Sequence, residues 1–402
     1  MKRTRQQQTQ KKIQTQKITQ TQLKKPNINK EIIGQGAYGC VYSPPIRCLD
    51  PCKDDRCFMG VSKLILKENA KIELSESKRI DEIDPSYKFH LKQPYLCKRP
   101  DFRGYTTSIP TCKTDKDNIP LDESVLLYYK KHGMDLFKFL TSYERNHIDI
   151  DLNKFLVGFS NIFRGIRELT ANKYTHSDLK LANILIKDYK FMIADFGISV
   201  DYMKSNRRLN SENFKYKLSV YSGDDYVIWP PEIFMINNPI DTVKKDMFVS
   251  KFNKKMSVYS MWSLQGMLVK ICYMVDIFYQ KSKSKSLDLL KIHINSTINR
   301  NNDKLNYENI YNKFRTRNDR TNPTQQMEKI FEKIDVFSVG ILLGQCIISL
   351  HKKIFDTPDI VIEALVTIII KMTDIDMYER ISPEKACQMW ENFITKIYKT
   401  NI

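Results

Sequence analysis

The sequence predicts an α+β chain of two lobes, a small β-rich one followed by a larger helical one. Three observations carry this. Between residue 30 and about 130, short runs rich in β-branched and aromatic residues surround one polar helical stretch. Beyond residue 133, apolar residues recur at helical spacing. The 402 residues are 42% hydrophobic, enough to bury a core in each lobe.

Residues 1–28 are repeats of Gln, Thr and Lys with almost no large apolar side chains, and read as a disordered basic tail. The small lobe is assigned to 29–132. Ile32–Ile33 and Cys40–Tyr42 flank a glycine-rich turn, and Val61–Leu66 and Val125–Tyr129 read as further strands. Residues 68–83 suit a helix between them. The helical lobe is assigned to 133–402. Phe155, Phe159, Ile162, Phe163, Ile166 and Leu169 mark one apolar helix face. Val336–Leu350 is apolar nearly all round and reads as a buried helix, with two more helices over 361–372 and 383–399.

The net charge is +19. The first 30 residues hold nine Lys or Arg and no acid, while 56 basic and 46 acidic residues beyond them leave +10. A nucleic-acid or acidic partner on the basic tail stays open beside the simpler reading of a passive, solvated tail. The N-terminus has no apolar run of the signal-peptide kind, and no stretch of about 18 apolar residues suits a membrane span. The expectation is an intracellular, soluble protein whose nine Cys are mostly reduced thiols. Cys48, Cys52, Cys57, Cys97 and Cys112 offer enough thiolates for a structural Zn²⁺, but no paired C-x₂-C spacing, so isolated buried thiols are the preferred reading. His132 and His147 have no partner at metal spacing and read as surface or hinge residues.

Three motifs carry chemistry. Gly34-Gln35-Gly36-Ala37-Tyr38-Gly39 lets a backbone turn approach phosphates. A dinucleotide-binding loop of similar spacing would open a helix. Here Val41, Tyr42 and then Pro44-Pro45 follow, which fits a β-hairpin. The second motif is His176-Ser177-Asp178-Leu179-Lys180-Leu181-Ala182-Asn183, leading into Ile184-Leu185-Ile186. The third is Asp195-Phe196-Gly197, twelve residues after Asn183. Asp178 suits acceptance of a hydroxyl proton, and Asn183 and Asp195 offer hard oxygen ligands for Mg²⁺.

With these motifs in this order, the chain resembles the protein kinase superfamily. The resemblance implies a bilobal kinase fold, ATP and Mg²⁺ as cofactors, and a protein substrate with a Ser or Thr hydroxyl. ATP binding then extends over Ile33, Gly34, Gln35, Gly36, Ala37, Tyr38, Gly39, Cys40 and Val41. Lys63 matches the strand Lys that holds the α- and β-phosphates; it lies 22 residues after Val41, so the intervening hairpin carries an insertion. Its helix partner is Glu73 or Glu76, with Glu76 preferred because Ile80 and Ile83 fall at +4 and +7. Lys180 is the residue type of serine/threonine kinases and steadies the transferring phosphate. Glu232, in Pro230-Pro231-Glu232, matches the acid that ends an activation segment; Arg380 matches its ion-pair partner, and Asp335 the buried acid that braces the catalytic loop.

Two departures stand out. Ser177 replaces the usual Arg before the catalytic Asp, so activation through a loop phosphate is in doubt; a phosphate there would need other partners, such as Arg207 or Arg208. Glu232 and Asp335 are 103 residues apart, a far longer gap than usual, so a helical insertion at about 240–330 is expected. Within it, Val258, Met261, Trp262, Leu264, Leu268, Ile271 and Val275 predict an amphipathic helix over Met256–Phe278. This layout resembles protein kinases of large nucleocytoplasmic DNA viruses. An active kinase, a catalytically inactive scaffold and a nucleic-acid-binding protein on this fold are the readings carried forward. Retention of Lys63, Asp178, Asn183 and Asp195 argues against the scaffold.

Overall fold

A computed structural model describes residues 31–36, 38–52, 54–103, 112, 120–202, 228–236, 238, 242–258, 263–318 and 323–400. The basic tail, Ala37, Arg207, Arg208, Met261 and Trp262 lie outside the described residues. The small lobe is built on a sheet of five antiparallel strands in the order β1, β2, β4, β7, β5. In chain order its elements are β1 (Glu31–Gly36), β2 (Gly39–Ser43), β3 (Arg47–Cys48), α1 (Arg56–Met59), β4 (Val61–Leu66), α2 (Lys67–Ile83), β5 (Tyr95–Cys97), β6 (Pro100–Asp101) and β7 (Ser124–Tyr129). Strand alternation divides the sheet into two faces. Cys40, Tyr42, Leu64, Leu126 and Tyr128 are buried together on one. Ile65, Val125 and Leu127 pack with Ala70 of α2 on the other. Val41, Lys63 and Leu127 stand opposite one another in register, so Lys63 shares the α2 face.

Six cysteines of this lobe are paired, which corrects the expectation of reduced thiols. Disulfides join Cys40 to Cys112, Cys48 to Cys97, and Cys52 to Cys57. Cys272, Cys346 and Cys387 are free. Cys52 and Cys57 are local partners, five residues apart, whereas the Cys48–Cys97 bond follows from strand order. β3 pairs with β6, and β5 lies beside β7, which brings Cys48 and Cys97, 49 residues apart, into bonding distance.

The larger part is helical. It begins with β8 (Met134–Asp135), α3 (Leu136–Glu144) and α4 (Leu152–Ala171). Asp135 and Asp151 cap the two helices by accepting from the backbone N–H of Lys138 and Lys154. All six predicted apolar positions of α4 are buried, and Phe163 stacks on Trp390 with ring centroids 4.5 Å apart. Next come β9 (Tyr174–Thr175), β10 (Ile184–Lys187), β11 (Lys190–Ile193) and β12 (Val200–Asp201). β8, β10 and β11 form one small sheet, and β9 and β12 another. The remaining helices are α5 (Lys245–Met256), α6 (Leu264–Ser282), α7 (Lys285–Asn301), α8 (Lys304–Asn318), α9 (Pro323–Ser349), α10 (His351–Ile354), α11 (Asp359–Met372) and α12 (Pro383–Thr400). The fold is therefore α+β and bilobal.

The predicted helix over Met256–Phe278 is corrected. α5 ends at Met256, and α6 begins only at Leu264, where Ser263 Oγ accepts from Gly266 N–H at 3.3 Å. Hydrophobic spacing ran across this break because it does not register a capping serine. The inserted helices are pinned to the segment between α11 and α12. Arg300 reaches Asp374 at 2.9 Å, and Lys313 reaches Asp376 at 2.5 Å. Gly344 permits α6 to approach α9, since a Cβ there would sit 2.1 Å from Met267 Sδ.

Candidate active site

The glycine-rich turn lies in the β1–β2 hairpin, where Gly34 stands opposite Val41, Gln35 opposite Cys40, and Gly36 opposite Gly39. Its glycines serve different ends. A Cβ on Gly39 would meet the Leu64 carbonyl oxygen at 2.1 Å, so this glycine lets β2 approach β4. A Cβ on Gly36 would meet nothing within 4 Å, so its bare backbone borders open space suited to a ligand. Cys40 is turned away. It is fully buried on the outer face in its disulfide, so only its backbone borders the cleft. Ile33 sits at a register shift, is 37% exposed, and its carbonyl accepts from Lys138 Nζ of α3 at 2.6 Å.

Lys63 pairs with Glu73, not Glu76. Lys63 Nζ lies 2.9 and 2.8 Å from the two Glu73 carboxylate oxygens. Glu76 instead accepts from the hydroxyl of Tyr174. The helix spacing did not separate these candidates. Glu73 and Ile80 are seven residues apart, two turns, and share the buried face with Ala70. Glu76 is rotated off that face toward β9. Tyr129 adds a contact the motifs do not reveal, its hydroxyl donating to Glu73 Oε1. The register alone places it, because Tyr129 follows Leu127 by two positions on the Lys63 face.

Asp195 comes from the other lobe, and its Oδ1 lies 3.5 Å from Lys63 Nζ. The Lys63 ammonium holds the Asp195 carboxyl below its ordinary pKa. Burial opposes charge on Lys63, but Asp195 and Glu73 outweigh it and raise the lysine's pKa. The Asp195 side chain is 43% exposed, open to the cleft. Its neighbour Phe196 packs inward on the His176 ring, centroids 4.6 Å apart.

The loop that carries Asp178 is held from below. The Asp335 carboxylate accepts from His176 N–H at 2.7 Å and Ser177 N–H at 2.8 Å. Complete burial pushes the Asp335 pKa up. His176 Nδ1 accepts from Asp178 N–H at 3.1 Å, which leaves Nε2–H to donate to the Ala194 carbonyl at 3.0 Å. Asn183 Nδ2 donates to the Asp178 carbonyl at 2.9 Å and to Asp178 Oδ2 at 2.8 Å. Lys180 Nζ lies 3.0 Å from the same Oδ2. Asn183 thus spends its amide nitrogen on Asp178 and keeps an oxygen of the type Mg²⁺ prefers; with the half-exposed Asp195 it fits a hard divalent cation. Farther down, Arg380 grips Glu232 in a fully buried fork, at 2.6 and 3.1 Å.

The protein kinase domain family matches residues 28–391, most of the chain. The chain belongs to this family. No curated protein matches the kinase at a significant level. The match accounts for the bilobal architecture, and makes phosphotransfer to proteins, with ATP and Mg²⁺ as general cofactors, the chemistry of its family. No helix among the described residues is long and apolar enough to cross a membrane.

Proposed function

We propose that the kinase is catalytically active and transfers the γ-phosphate of ATP to serine or threonine hydroxyls, with Asp178 as the catalytic base. The observation that carries this is the three-way junction in which Lys63 meets Glu73 of its own lobe and Asp195 of the other. A scaffold gains nothing from placing that charge at the phosphate position. In the proposed reaction Lys63 neutralises the α- and β-phosphates. Asn183 Oδ1 and the Asp195 carboxylate would hold Mg²⁺, which would offset charge on the phosphates. The backbone around Gly36 covers the triphosphate. Asp178, oriented by Asn183 and Lys180, takes the proton of the attacking hydroxyl. Lys180 reaches the same carboxylate and is placed to steady the transferring phosphoryl group, which favours serine and threonine acceptors.

The test is transfer of labelled phosphate from ATP·Mg²⁺ to Ser, Thr and Tyr peptide libraries. Asp178→Asn is expected to lower kcat by about 10²–10⁴-fold while ATP still binds. Unchanged turnover in that variant would remove Asp178 from its role, and preferential labelling of Tyr would overturn the acceptor assignment.

A further inference from the structure

Ser177 leaves no guanidinium beside Asp178, yet the peptide between them is tightly held. Ser177 is fully buried and adopts a left-handed backbone, φ +67°. Its N–H is fixed by Asp335 at 2.8 Å. Its carbonyl, the one joined to Asp178, accepts the indole N–H of Trp229 at 2.6 Å. Trp229 is 2% exposed and belongs to the end of the activation segment, directly before Pro230-Pro231-Glu232. That end is anchored at three points. Ser338 Oγ of α9 donates to the Ile228 carbonyl at 2.9 Å. Arg380 holds Glu232 at 2.6 Å. Both of these tie the segment to the helical core. Trp229 alone among the three reaches the catalytic loop.

We propose that Trp229 is a positioning residue for phosphotransfer: its indole N–H couples docking of the activation segment to the peptide that carries Asp178, in place of a loop phosphate on an arginine. This rests on the reading of the chain as an active kinase. The physical ground is that a buried carbonyl must be paired. With a left-handed residue before the base, rotation of this peptide would swing the Asp178 carboxylate away from the acceptor hydroxyl. The segment therefore aligns the base whenever Trp229 is seated, with no phosphate required.

The decisive experiment compares Trp229→Phe with Trp390→Phe. Each deletes one buried indole N–H, and Trp390 donates to Ser160 at 3.0 Å within the core. Trp229→Phe is expected to lower kcat about ten-fold or more with KM for ATP unchanged within about two-fold. Trp390→Phe is expected to lower Tm but leave kcat within about two-fold of wild type. Phosphatase treatment of the wild type should leave kcat unchanged. Equal kcat losses in the two variants, or no loss in Trp229→Phe, would overturn the proposal. So would loss of wild-type activity on dephosphorylation. Hydrogen exchange on the protein without substrate supplies a readout independent of turnover. Amides of 174–183 should exchange faster in Trp229→Phe than in wild type or Trp390→Phe, with α4 and α11 still protected. Unchanged exchange there refutes the coupling. Faster exchange in Trp229→Phe, with a wild type that transfers no phosphate, supports the coupling and refutes the catalytic reading instead.

Discussion

Arg380→Met is the perturbation whose cost can be worked most directly from the structure. Arg380 and Glu232 are both fully buried and joined by two charge-assisted hydrogen bonds. Arg380 Nε also donates to the Asp374 carbonyl at 2.8 Å, and its guanidinium lies 4.8 Å from the centre of the Phe337 ring. Methionine fills part of the volume but strands the fully buried Glu232 carboxyl without its guanidinium partner. Breaking such a pair costs about 3–5 kcal/mol, far above the ~0–1 kcal/mol of an exposed pair. The Asp374 carbonyl, left unpaired, adds about 1–3 kcal/mol if water cannot reach it. The assay is urea denaturation at neutral pH on Arg380→Met, Glu232→Gln and the double variant. Each single variant should lose about 3 kcal/mol or more, and the double should lose clearly less than the sum. A cost below about 1 kcal/mol for Arg380→Met, or strict additivity in the cycle, would refute the argument that this pair is a desolvated unit.

Three further outcomes follow from other contacts. Glu73→Gln should lower kcat/KM for ATP by at least about ten-fold, because it weakens the hold on Lys63, whereas Glu76→Gln should leave it within about three-fold; the reverse order in a steady-state assay would restore Glu76 as the partner. Lys333 is partly buried beside Arg380, and burial depresses its pKa to about 8. The unfolded chain then binds more protons than the folded one between pH 8 and the ordinary lysine value, so stability should rise with pH across that window, and Lys333→Met should abolish that rise in pH-dependent urea midpoints. Reduction with dithiothreitol should lower Tm, and Cys40→Ala/Cys112→Ala should account for the largest part, about 2–4 kcal/mol, because it opens the longest loop, 72 residues; an unchanged Tm under reducing conditions would deny these bonds a stabilising role.

Much of this molecule was legible in the chain. Strand β4 was readable to the residue, because alternation with apolar flanks is a local property. The long helices α4, α11 and α12 were readable within a turn at each end, because burial imposes a helical spacing on apolar residues; of α9, only the apolar stretch from Val336 was read, and its start at Pro323 was missed. The motif residues Lys63, Asp178, Asn183 and Asp195 were picked out by residue type and order, and the fold brings Lys63 to Asp195 and Asn183 to Asp178. What sequence could not decide were the non-local choices. Glu73 and Glu76 satisfy the same helical periodicity, and only the seating of α2 against β4 and β9 assigns one to Lys63 and the other to Tyr174. Cysteine spacing carries no record of which strands become neighbours, so Cys48 and Cys97, read as isolated thiols, are brought together by sheet order. Ser177 announced a missing arginine, but nothing in the chain said that Trp229, 52 residues later, would grip its carbonyl. Local periodicity and residue chemistry are written in neighbouring positions. Pairings between distant positions arise only when the packed core sets their distances.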